Sequence, residues 1–74
     1  MPEKLPRLKA SEVIKILQKH GFNLISQRGS HQKWRNNNTG KQVIVPYHKG
    51  KQLPLGTIKS IIEGSGIAEN EFRS

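Results

Sequence analysis

The stretch that most restricts how this chain can fold is Arg28-Gly29-Ser30-His31-Gln32-Lys33-Trp34-Arg35. Gly29 and Ser30 are turn formers between two strand-like runs, so His31 should be the first ordered side chain after a tight reversal. Strand side chains alternate with a period of two. That sends His31, Lys33 and Arg35 to one face and Gln32 and Trp34 to the other. Trp34 is the one tryptophan in the chain, and its indole is the natural anchor of the sheet on its helices. Stacking on a nucleic-acid base is the competing use for such a side chain. The opposite face is then a row of proton-transfer and cationic groups. Histidine is the side chain whose ordinary titration range lets it both accept and donate a proton near neutral pH.

The rest of the chain supplies a frame for that strand. Residues 1–9 carry two prolines and alternating charge and read as an irregular arm, in which Arg7 and Lys9 can reach phosphate. Ser11 is expected to cap a helix whose apolar positions Ala10, Val13, Ile14 and Leu17 follow helical spacing, and Gly21 ends it after Lys19 and His20. His20, in the last turn, reads as a cation favourable to the helix C-terminus. A strand from Phe22 to Arg28 follows, with Phe22, Leu24 and Ile25 as its core contributors. The second strand runs from His31 to about Arg35. Asn36 to Gly40 is a polar turn, and Gln42 to Tyr47 closes an antiparallel hairpin, with Pro46 confining that strand to an edge or an end.

His48-Lys49-Gly50-Lys51 is a basic loop before a second helix with Leu55, Ile58, Ile61 and Ile62 on one face and Gly64 after it. The amides of that helix's first turn are available to an anion. Ile67 to Phe72 add a short final turn. The order α-β-β-β-α, with the helices on one face of a three-stranded antiparallel sheet, is a two-layer α+β fold. No linker or repeat divides residues 1–74, which read as a single domain with its arm at 1–9 and its body at 10–74.

At 74 residues the chain is near the size at which one core is only just sufficient, so a bound partner matters for stability. It has no cysteine, hence no disulfide, thiolate metal site or redox role. Thirteen Lys and Arg against five acids give a formal charge of +8, and the pI is about 10.4. In so short a chain this points to a polyanionic partner, with nucleic acid the leading candidate. A membrane surface would require the basic residues on one side of a strongly amphipathic helix, whereas here they are spread over strands and loops. Unbroken apolar runs reach three residues at most, far short of a membrane span or a signal-peptide hydrophobic region. A soluble, cytoplasmic protein is expected.

The charge pattern also restricts the chemistry. Two-metal phosphodiester cleavage needs clustered carboxylates, yet the chain has no aspartate and its five glutamates lie on predicted helices or in the arm. No metal and no cofactor is therefore expected. The remaining route uses the 2′-hydroxyl of RNA as nucleophile, with a base, an acid and cations around the phosphorane, and it excludes DNA as substrate. His31, Lys33, Arg35 and Arg28 are the right residue types for it. Ser30, Lys49 and Lys51 are further candidate RNA contacts. If the hairpin turn is centred near Asn38 and Thr39, His31 faces Pro46 and His48 stands diagonal to His31, about 7 to 8 Å away, as a supporting group alongside Lys33. A register change of one residue would send His48 to the other face.

Three segments resemble the HicA toxin family: Gly29-Ser30-His31 followed by Trp34, then Val45-Pro46-Tyr47-His48, then Leu53 with Gly56-Thr57-Ile58-Lys59-Ser60-Ile61. The resemblance spans essentially the whole chain beyond the arm. It implies a fold like the double-stranded RNA-binding domain, a metal-independent endoribonuclease toxin that cuts mRNA, and His31 as the catalytic histidine. It further implies neutralisation by a HicB-like antitoxin, with DNA met only through the antitoxin complex. The chain departs from the family's pattern at Ala68, where a polar helix cap is expected, and at Lys33-Trp34-Arg35, which is more basic than the usual run. Two other functions compete: a non-catalytic RNA-binding module of the same fold, with Lys49 and Lys51 on phosphates, and a structural protein bound to the ribosome.

Overall fold

The computed structural model describes residues 6–73. Helix α1 (Ala10–Lys19) is followed by strands β1 (Phe22–Arg28), β2 (His31–Asn36) and β3 (Gln42–Pro46), helix α2 (Leu55–Ser65) and a 3₁₀ turn (Glu69–Phe72). The strands form one antiparallel sheet in the order β1-β2-β3, which puts β2 at its centre. This is the expected α-β-β-β-α order, an α+β arrangement of the double-stranded RNA-binding-domain kind. Among the described residues, no helix is long and apolar enough to cross a membrane.

One face of the sheet is covered. Trp34 from β2, Phe22 from β1, and Val43 and Val45 from β3 are all buried, and they join Val13 and Leu17 of α1 and Ile58 and Ile61 of α2 in one apolar cluster. Trp34 retains 5% of its accessible surface, and its indole N–H donates to Gln32 Oε1 at 3.1 Å. The tryptophan is thus the anchor that its alternation implies, and base stacking is not open to it.

Several local expectations are corrected. Helix α1 begins one residue before Ser11: Lys9 occupies the N-cap, and its backbone N–H donates to the Glu12 carboxylate at 2.8 Å. Ser11 lies inside the first turn and is not the cap, because the Glu12 side chain satisfies one of the free amides there. The end of the arm is tied to the body: Leu8 is buried and its carbonyl accepts from the Leu53 N–H at 2.7 Å, next to a Lys9–Gln52 bridge. The arm's first five residues, 1–5, lie outside those described.

In β1 only Phe22 enters the core, for Leu24 is 46% exposed and Ile25 51%. Leu24 still pairs with Trp34 but sits on an edge strand, and the ladder slips only after it, between Leu24 and Ser26, so Ile25 is an extra residue there. Strand β3 stops at Pro46 instead of Tyr47, and Leu55 stays exposed at the start of α2. Helix α2 runs past Gly64 to Ser65. A Cβ on Gly64 would stand 3.1 Å from Val43 Cγ1, so that glycine permits close helix–strand packing, and Gly66, at φ 71°, is the residue that ends the helix. Ala68 precedes the final turn with no side-chain cap, and Phe72 within that turn is fully buried, which the sequence reading did not anticipate.

The buried amide of Asn36 ties three of these pieces together. Its Nδ2 donates to the His20 carbonyl at the end of α1 at 3.0 Å, while its Oδ1 accepts the backbone N–H of Asn38 at 2.8 Å and of Thr39 at 3.3 Å in the β2–β3 turn. Asn36→Ala removes all of these contacts, and at about 1 kcal/mol net per bond the predicted destabilisation is about 2–3 kcal/mol. For a domain of this size that lowers the unfolding midpoint by at least roughly 8 °C. A scanning-calorimetry midpoint unchanged from the parent protein would show that water replaces the amide at no cost.

Candidate active site on the open sheet face

The uncovered face of the sheet is built from facing residues in three rungs. His31 stands between Arg28 and Pro46, Lys33 between Ser26 and Ile44, and Arg35 between Asn23 and Gln42. The His31–Pro46 pairing is the register expected from the turn at Asn38 and Thr39. None of the three strands contains Asp or Glu, and the four described glutamates lie on α1, α2 and the 3₁₀ turn. Among the described residues, no group of three or more His, Cys, Asp or Glu is gathered that could hold a metal ion.

The first rung is positioned by its turn. Gly29 has φ 61° and Ser30 a negative φ, the sign pattern of a two-residue type II′ hairpin, whose twist suits the flanking strands. Three side chains brace that turn from below. The Trp34 indole donates to Gln32, the Gln32 amide to Gln27 Oε1 at a long 3.4 Å, and the Gln27 amide to the Gly29 carbonyl at 3.0 Å. The Ser30 carbonyl accepts the Tyr47 N–H, which binds the other side of the turn to the end of β3. An exposed histidine therefore sits on a backbone held from both sides.

Ser26, Gln27, Arg28, His31, Lys33 and Ile44 line a depression of about 490 Å³. It brings together three of the expected site residues, Arg28, His31 and Lys33. Ser26, Gln27 and Ile44 were not anticipated, although extending the His31–Pro46 register would have placed Ile44 beside Lys33. Arg35 lies one rung beyond the depression. His48 follows the end of β3 on an exposed loop and lines a separate depression of about 290 Å³ with Lys51, Pro46 and Thr57. Pro46, which faces His31, is the link between the two. Lys49 is exposed in the same loop.

His20 is remote from this face. Its Nε2 is 3.2 Å from Glu71 Oε1, so it joins the end of α1 to the 3₁₀ turn as well as sitting at the helix C-terminus.

Fold and face together define a small α+β domain of the double-stranded RNA-binding-domain kind, with a cationic sheet surface. The model of the family described as HicA toxin of bacterial toxin-antitoxin matches residues 10–67, well over half of the chain. The chain belongs to the HicA toxin family and is the toxin type of component in a toxin–antitoxin system. No curated protein matches it.

The turn yields a prediction. A Cβ on Gly29 would meet nothing within 4 Å, so Gly29→Ala changes backbone strain and little else. The predicted loss of stability is about 1–2 kcal/mol, the cost of holding an L-residue at positive φ. Chemical denaturation reads this directly. A variant as stable as the parent would mean that the turn readily adopts another form.

Proposed function

We propose that this chain is a metal-independent endoribonuclease that cuts mRNA, with His31 moving the proton. The observation that carries the reading is the placement of His31: exposed, on a braced turn, between Arg28 and Pro46 and one rung from Lys33. Arg28 and Lys33 supply cations beside it without a competing carboxylate on the sheet, and the family match supports a toxin of this kind.

In the proposed reaction His31 accepts the proton of a 2′-hydroxyl, and the oxygen attacks the adjacent phosphorus. Arg28 and Lys33 stabilise the extra negative charge of the phosphorane. The bond to the 5′-oxygen then breaks as that oxygen receives a proton, leaving a 2′,3′-cyclic phosphate and a 5′-hydroxyl. His48 is assigned a supporting role as a second proton-transfer group or phosphate ligand, reached across Pro46. Ser30, Arg35, Lys49 and Lys51 are assigned to RNA binding. The reading includes a cytoplasmic location and a HicB-like antitoxin whose acidic surface covers the His31 face, with DNA contacted only through that complex.

One substitution tests the assignment. General acid–base catalysis by one side chain contributes about 10²- to 10⁴-fold in rate, so His31→Ala should lose cleavage by that factor. Because His31 is exposed, the variant's stability should stay within about 0.5 kcal/mol of the parent. Cleavage by the parent should persist in excess chelator and leave cyclic-phosphate ends. A folded His31→Ala protein that cuts RNA at the parental rate would falsify the catalytic role. Activity lost in chelator and restored by magnesium would overturn the metal-free route.

A further inference from the structure

We infer that the substrate is an extended single strand lying along β2, and that Arg35, flanked by Asn23 and Gln42, is a distal recognition subsite two rungs from the cut. The inference rests on the proposed cleavage at His31 and adds to it the direction and form of the RNA.

The argument begins with spacing. His31, Lys33 and Arg35 share one face of one strand, so neighbours are separated by about 6 to 7 Å along β2 and the whole row spans about 13 Å. That interval is of the order of the separation between successive phosphates in an extended polynucleotide. Three nucleotides therefore match three rungs: the scissile phosphate beside Arg28 and His31, the next beside Lys33, the third beside Arg35.

The flanking residues change along the row. Beside Lys33 stands Ile44, 46% exposed, an apolar surface on which a base can rest. Beside Arg35 stand two exposed side-chain amides, Asn23 and Gln42, which offer both donors and acceptors to a base edge or a 2′-hydroxyl. Chemistry also favours the single strand. Attack by the 2′-oxygen requires it to stand in line with the departing 5′-oxygen, and a stacked A-form backbone does not present it that way. The depression around His31 is lined by Lys33 and Ile44 as well, so it already spans the first two rungs of the row, and Arg35 stands on the next.

Binding and cleavage measured separately test this. Binding uses His31→Ala protein, single-stranded RNA six nucleotides long, and a hairpin duplex of the same composition, each titrated across a salt series. The single strand should bind more tightly than the duplex. Adding Arg35→Gln should reduce the slope of log affinity against log salt by about 0.7, the value for one single-strand phosphate contact, and Arg35→Lys should restore it.

Cleavage uses otherwise wild-type protein and oligonucleotides lengthened one nucleotide at a time on either side of the scissile linkage. The third rung should appear as a rise in kcat/KM of about tenfold, on one side only, and Arg35→Gln should abolish that rise. Asn23→Ala or Gln42→Ala should alter which base is preferred at that nucleotide. Tighter duplex binding, an unchanged salt slope in Arg35→Gln, or a length-dependent rise that survives this substitution would each overturn the track. If no oligonucleotide is cut while the Arg35-dependent salt slope is present, the track stands and the nuclease reading fails.

Discussion

The open face depends on one constraint, the commitment of β2's other face to the core. Trp34 and Asn36 are both buried, one through apolar contact and the other through hydrogen bonds to the end of α1 and the β2–β3 turn. Because side chains alternate, fixing these two fixes His31, Lys33 and Arg35 outward. A slip of one residue would turn Lys33 and Arg35 toward the helices, where an unpaired charge costs several kcal/mol, and would bring the indole into water. The arrangement of the candidate site is thus maintained by residues that take no part in it.

Most of this was legible in the sequence because it follows from period two and turn chemistry. The β1–β2 turn at Gly29 and Ser30, the two faces of β2 and the pairing of His31 with Pro46 all rest on rules local to one hairpin. The misjudged positions depend on information that is not local. Ile25 reads as a core residue until the bulge beside it is known, and a bulge is set by how β1 pairs with β2. Gly64 reads as a helix terminator, but its role is to let α2 approach Val43, a contact between distant parts of the chain. Phe72 is buried only because the 3₁₀ turn folds back over the end of α1, where Glu71 meets His20. At the site, the register was readable but the reach of the ladder was not. Strand β3 ends at Pro46, and His48 lies in the exposed loop that follows it.

Charge is divided between the two sides of the fold. The four described glutamates are on helical elements, while Arg28, Lys33 and Arg35 share a sheet face that has no carboxylate. Placed on neighbouring strands or alternate positions of one strand, these cations repel one another, with no carboxylate on the sheet to offset them. Any polyanion laid on that surface relieves the repulsion. An acidic protein surface does so by the same physics as RNA, which makes the two mutually exclusive occupants on the proposed reading.

That competition also bears on stability. A domain of this size has little core to spare, and a ligand that binds only the folded chain stabilises it by mass action, about 2.7 kcal/mol at a free concentration one hundred times its Kd. An antitoxin seated on the cationic face would therefore do two things with one interface, excluding substrate and holding the chain folded. By the same linkage, a toxin released from such an antitoxin would be at its least stable when free to act. Its unoccupied face then carries uncompensated charge, and its fold relies on the small core around Trp34 and on the braced turn that presents His31.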